Sequence, residues 1–248
     1  MIDALRPAAA AVTFLTRAPL GRLVRVEAED IARGAWYFPV VGGAVGGACG
    51  LLADVVAGWL PALVAGALAV GAAALLTGAM HLDALADTAD SLGATTRERA
   101  LEILRDHAVG AFGATALIVV CILDAAVLGA LAQTDDAALV GLAAGAVGRA
   151  AMLPPALLLP YVRRGEGQGR VLAGMGGATV VVALAVAGLL ALPAGAAGLW
   201  GAGAAALAAI VLGLFARHRF GGVTGDVLGA TAKLAETAAL VVGAAVVT

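Results

Sequence analysis

Charge is scarce in this chain. Asp, Glu, Lys and Arg make up only 13% of its 248 residues, about half of what a soluble domain carries. With 62% hydrophobic residues it cannot cover its own surface with polar groups, so lipid must be part of its solvent. Aromatic residues are few, at 4%, while glycine numbers 35; small residues let membrane helices approach closely. The two cysteines, Cys49 and Cys121, lie in apolar stretches, which excludes a disulfide framework and any Cys-x-x-Cys chemistry. There is no Walker loop, no Gly-x-Gly-x-x-Gly after a strand, no Gly-x-Ser-x-Gly and no His-Glu-x-x-His, so the corresponding nucleotide-binding, hydrolase and zinc-protease classes are excluded. The apolar run Ala8 to Leu15 is short and flanked by Arg6 and Arg17. It reads as an interfacial segment rather than a cleaved signal.

Long apolar runs are what the chain does have. Seven are long enough to cross roughly 30 Å of hydrocarbon: 37–58, 62–80, 111–132, 137–161, 175–193, 198–216 and 227–247. The expected fold is all-α, a polytopic helical membrane protein of about seven transmembrane helices (six to eight). Residues 1–248 form a single integral-membrane domain, with 1–35 a cytosolic or interfacial segment and 37–247 the helical bundle. Pro61 makes the first two spans a hairpin, and Pro154, Pro155 and Pro160 kink or shorten the fourth. Gly42, Gly46 and Gly50 form a smooth stripe for helix packing.

The net charge of −2 says little, but the placement of charge says more. Of the 15 Lys and Arg, 13 fall before the first span or in alternate loops, and the intervening loops hold none. By the positive-inside rule the N-terminus and the charged loops are cytosolic.

The second span runs into His81-Leu-Asp83-Ala-Leu-Ala-Asp87-Thr-Ala-Asp90. On a helix the three carboxylates share one sector. Their mutual repulsion turns favourable when a hard cation sits between them, so Asp83, Asp87 and Asp90 are expected to hold Mg²⁺. The alternative is a solvated helix end. His81 is a candidate general base or a packed histidine. Next come Arg105, Asp106 and the glycines Gly110 and Gly113, where Asp106 extends the metal shell and the glycines admit a phosphate or a neighbouring helix. Arg149 sits within a span; it pairs with Asp54 or Asp124, or binds an anionic substrate. Arg163, Arg164 and Arg170 stand among glycines, a pattern suited to phosphate recognition or to simple membrane anchoring. Asp226, Gly229, Lys233 and Glu236 run along one helical face. Lys233 with Glu236 is also readable as an ion pair, and Asp226 as a helix cap. Acids and arginines gathered in one layer imply an anionic, metal-bridged substrate and phosphoryl transfer.

These motifs, in this order, resemble the cobalamin synthase family, the adenosylcobinamide-GDP ribazoletransferases. The matching stretches are Phe14-Leu-Thr-Arg17-Ala-Pro19, Tyr37-Phe-Pro39-Val-Val-Gly42, His81 to Gly93 with its aspartates, Asp106 with Val109 to Gly113, Gly148-Arg149, and Gly222-Val-Thr-Gly225-Asp226-Val-Leu-Gly229-Ala. Ala84 and Ser91 stand where the family usually has Gly, and His107 where it commonly has Ser or Thr. The resemblance implies the last step of nucleotide-loop assembly in a bacterial cytoplasmic (inner) membrane. A hydroxyl of α-ribazole, or of its 5′-phosphate, attacks adenosylcobinamide-GDP and GMP leaves, with Mg²⁺ as cofactor. It also implies catalytic roles for His81, Asp106, Asp226, Arg149 and Lys233. Substrate contacts are expected from Arg17, Arg105, Arg163, Arg164, Arg170, Gly110, Gly113, Gly225 and Glu236. Small-molecule substrates and membrane lipid are the expected partners; nucleic acid is not, and a homo-oligomer is left open. The rival readings are a phosphotransferase of CDP-alcohol type and an ion-coupled transporter.

Overall fold

The structure, a computed structural model, describes residues 2–20, 24–106, 108–163 and 168–247. Its helices, in chain order, are α1 (Ile2–Leu15), α2 (Ala28–Gly34), α3 (Phe38–Val56), α4 (Ala62–Thr77), α5 (Met80–Asp90), α6 (Arg97–Ile103), α7 (Ala111–Leu131), α8 (Ala137–Ala151), α9 (Leu153–Leu158), α10 (Gly177–Ala191), α11 (Gly195–Phe220) and α12 (Gly225–Val247). Among the described residues there is no strand, only an isolated parallel bridge between Tyr161 and Val223.

Five apolar helical stretches are long enough to cross a membrane, six when α4 and α5 are taken as one bent span. One of the five, Gly177–Phe220, has 44 residues. It is divided by the 3-10 turn Leu192–Ala194, after which Gly195 takes φ 57°. A straight helix of that length would run about twice the hydrocarbon thickness. Instead α10 and α11 both pack on α8, so the chain folds back between them. The expectation of about seven spans counts these two separately.

Small residues decide which helices lie inside. A methyl group added at Gly42, Gly46 or Gly50 of α3 would strike the carbonyl oxygens of Gly145, Gly141 and Ala137 of α8. The glycine stripe therefore packs α3 against α8 backbone to backbone. The best span window is 78% buried in α8–α9 and 56% in α12, against 33% in α7 and 28% in the α10–α11 stretch. Helices α8 and α12 are therefore the inner posts. Residues such as Ile118, Ile122, Leu207 and Leu214 on the outer helices are exposed and face lipid.

One boundary departs from the sequence reading. The second span does not continue to residue 80. It ends at Thr77, where Gly78 (φ 65°) and Ala79 (φ 56°) both adopt left-handed backbone. The axis then turns by 94° into α5. Left-handed backbone at an alanine is unusual, and it places α5 across the end of the bundle. As expected, Pro154 and Pro155 break the fourth span, here into α8 and α9.

Candidate active site

Helix α5 is two-sided. His81, Ala84, Leu85 and Thr88 are buried on the side packed against α12 and α7. Asp83 and Asp87, one turn apart, line a cavity of about 300 Å³. Its other walls carry Arg105 and Asp106 from the end of α6, Tyr161 and Arg163 from the segment after α9, and Gly225 and Asp226 from the start of α12. Four segments far apart in sequence thus meet at one face of the bundle.

The geometry explains the Gly222 to Asp226 motif residue by residue. Gly221, at φ 74°, ends α11. A methyl on Gly222 would strike the Pro160 carbonyl, so glycine there lets the 160–162 segment dock. Val162 N–H donates to the Val223 carbonyl at 3.0 Å, and Val223 N–H to the Pro160 carbonyl at 2.9 Å. The Thr224 hydroxyl accepts from Val227 N–H at 3.3 Å and so caps α12. The cap is therefore Thr224, and Asp226 instead turns to the cavity, 3.4 Å from Arg163 Nη1. A Cβ on Gly169 would lie 2.6 Å from Gly225 Cα, so backbone meets backbone there. Burial pushes the Tyr161 hydroxyl above its ordinary pKa, with Arg163 opposing.

Three groups of expected site residues lie elsewhere. Asp90 was expected beside Asp83 and Asp87 on a metal. Its Oδ2 accepts from Gly110 N–H at 2.7 Å and its Oδ1 from Gly113 N–H at 2.8 Å. A carboxylate at a helix N-terminus satisfies free N–H groups and the helix dipole, so Asp90 clamps α7 to α5. Gly110 and Gly113 are glycines because a Cβ at either would collide with that carboxylate; their N–H groups serve Asp90 rather than a phosphate.

The second group is Arg149, Lys233 and Glu236. They do not line the aspartate cavity but form a buried cluster within the bundle. Arg149 pairs with Glu236, and Lys233 with Asp124 at 2.6 Å and Glu236 at 3.4 Å. The partner of Arg149 is therefore Glu236, not Asp54 or Asp124. Asp54 instead accepts from Ala137 N–H at 3.2 Å and Ala138 N–H at 2.9 Å, capping α8. A small void of about 40 Å³ adjoins the cluster, and His81 lines both this void and the aspartate cavity.

The third group is peripheral arginines. Arg17 packs on the α4–α5 corner, where its Cδ lies 2.6 Å from the position a Gly78 Cβ would take. Arg170 lies in the turn Gln168–Gly174 beside Glu29 and Arg33 of α2. Arg164, like His107, lies outside the described residues. Sequence reading gave no cavity role to Phe14 or Tyr161, which are both walls of it: Phe14 stands in an apolar run, and beside Tyr161 the arginines of its loop carried the signal. It also missed Arg219, whose Nη2 donates to the carbonyls of Ser91, at 2.9 Å, and Ala94.

Fold and cavity together define a class: a polytopic helical membrane protein with a carboxylate-lined, arginine-flanked chamber at one end of its bundle. A model of the cobalamin-5-phosphate synthase family matches residues 7–244, and the chain belongs to that family. It is 39% identical over 244 residues to the adenosylcobinamide-GDP ribazoletransferase of Leptothrix cholodnii, covering 92% of this chain and 91% of that protein. The protein of the same name from Bradyrhizobium diazoefficiens is 39% identical over 241 residues, 95% of this chain and 92% of its own. The one from Escherichia coli K12 is 37% identical over 241 residues, 92% and 94%. No solved structure matches the chain.

Proposed function

We infer that this chain is an adenosylcobinamide-GDP ribazoletransferase, carrying out the final assembly step of the cobalamin nucleotide loop. A hydroxyl of α-ribazole, or of α-ribazole 5′-phosphate, attacks the cobinamide-side phosphorus of adenosylcobinamide-GDP. The new P–O bond forms as the bond to GMP breaks, and GMP departs with the electron pair. The observation that carries this reading is convergence. The stretches 81–93, 106 and 222–229, which carry the resemblance to the family, contribute Asp83, Asp87, Asp106 and Asp226 to one cavity.

The donor set bears on the metal. Among the described residues no three of His, Cys, Asp and Glu are grouped so as to hold a metal ion. Magnesium needs no such cage, because it is commonly held by one or two carboxylates, waters and substrate phosphates. Asp83 and Asp87 are the residues that would hold Mg²⁺ on the diphosphate, assisted by Asp226 or Asp106. When bound, it would neutralise charge on the phosphates. Arg105 and Arg163, expected as substrate contacts, line the cavity and take the phosphate-facing role, which the resemblance gave to Arg149, Arg164 and Lys233. His81 lines the cavity, and both its ring nitrogens are buried without a hydrogen-bond partner. It is the base this reading proposes for the hydroxyl proton. The basic loops support a cytosolic orientation for this face and the N-terminus, and the family supports a multi-pass chain in the bacterial inner membrane.

Asp87→Asn tests the reading. Turnover of labelled adenosylcobinamide-GDP falls by about a thousand-fold or more, while the membrane-extracted protein keeps its thermal transition. Retained turnover removes the metal assignment. Labelled CDP-alcohol, offered in parallel, is not consumed.

A further inference from the structure

A second cavity, of about 540 Å³, opens on the outer side of the bundle between α8–α9, α10 and α11. It is apolar along its length except at one end, where Arg217 of the last turn of α11 forms its mouth. We propose that this groove binds one phospholipid with an anionic headgroup, its phosphate on Arg217 and one acyl chain along α11.

Sequence and structure both build the groove. Pro154 and Pro155, in the first turn of α9, form part of one wall. Small residues make up much of the wall, Ala187 and Gly188 on α10 and Ala202, Ala205, Ala206, Ala209 and Gly213 on α11, and Leu158, Leu184, Ile210 and Leu214 complete an apolar lining. A Cβ at Gly188 would meet nothing within 4 Å. The groove follows α11 from Arg217 to Ala202, fifteen residues or about 22 Å. That is the depth of one leaflet with part of its headgroup layer, so an acyl chain fits along it from the interface toward the midplane. Arg217 is exposed and, unlike Arg149 or Arg163, has no carboxylate partner among the described residues. A cation at the membrane surface attracts anionic lipid. The single charge at an otherwise apolar slot thus specifies both the headgroup sign and the direction in which the chain lies.

Native mass spectrometry of the purified full chain, titrated with dioleoyl phosphatidylglycerol or dioleoyl phosphatidylcholine, tests this. The expected result is one retained phosphatidylglycerol, with phosphatidylcholine held about five-fold more weakly. Arg217→Gln abolishes that preference. Gly188→Leu, which fills the groove, abolishes retention of either lipid. Gly203→Leu adds the same bulk on α11 outside the groove, where a Cβ also meets nothing within 4 Å, and leaves binding unchanged. Equal retention by wild type, Gly188→Leu and Arg217→Gln overturns the proposal. So does a lipid-free dimer that Gly188→Leu disperses, which would make a second copy the occupant.

Discussion

Two polar regions share the interior of this protein, and they differ in how their charges balance. The buried cluster holds two cations, Arg149 and Lys233, against two anions, Asp124 and Glu236. Among the described residues, the cavity at the end of the bundle is lined by four carboxylates, Asp83, Asp87, Asp106 and Asp226, and two guanidinium groups, Arg105 and Arg163. Charge removed from water must be compensated nearby. The cluster meets that demand internally and has no use for an external ion. The cavity's described lining does not balance in this way, and the cation and substrate proposed for it would offset the difference. Within a membrane protein, then, the presence of ionisable residues marks structure and function alike; their imbalance distinguishes the two.

The largest effect should come from unbalancing the cluster. Arg149→Met leaves Lys233 alone against two buried carboxylates, Asp124 and Glu236, a loss of about 3–5 kcal/mol, read as a large fall in the detergent thermal transition. Adding Glu236→Leu should recover most of it, since an apolar pair of similar volume is often as stable as an ion pair. In the cavity the sign reverses. Asp83→Asn relieves like-charge repulsion along α5 and should leave stability unchanged or slightly higher while turnover collapses. An Arg149→Met protein that melts normally but does not turn over would place the cluster in the chemistry and break the comparison. A smaller effect is expected from Arg163→Gln. Losing a charge-assisted contact to phosphate raises KM by about ten- to a hundred-fold. The transition should move by less than about 1 kcal/mol in stability, because the Arg163–Asp226 pair is partly exposed.

Sequence made some of this contrast legible and hid the rest. Spans, proline breaks and the glycine stripe of α3 were readable because they rest on length, periodicity and residue size, all local quantities. Asp83 and Asp87 were readable because their spacing repeats once per turn. Arg149 was legible as a charge needing a partner, but not that the partner would be Glu236. That choice depends on α8 and α12 packing side by side, which joins residues 87 apart in sequence, from 149 to 236. Asp90 was misread for a related reason. Its spacing continues the aspartate row, yet a 94° corner upstream brings the start of α7 against it, and no local pattern announces a corner built partly on a left-handed alanine. Tyr161 carries no spacing signal, since it enters the cavity through a single bridge to Val223.

Asp90 and Asp54 give the finest test, because they do the same work in the two settings. Each carboxylate accepts two backbone N–H groups at the start of a neighbouring helix, Asp90 at α7 and Asp54 at α8. Removing either as Ala should cost about 1–2 kcal/mol, the usual scale for a lost N-terminal cap. The local signature is faster hydrogen exchange at Gly110 and Gly113 in one variant and at Ala137 and Ala138 in the other. Turnover should separate them. Asp54 lies far from the aspartate cavity along α3, and Asp54→Ala leaves the rate per folded molecule unchanged. Asp90→Ala loosens the anchor of α5 and lowers the rate by a modest factor, about three- to ten-fold if the loss is near 1 kcal/mol at the reacting geometry. If instead Asp90→Ala stops turnover while the Gly110 and Gly113 amides stay protected, Asp90 acts on the metal and not on α7. The difference in charge along the cavity's described lining would then be larger by one.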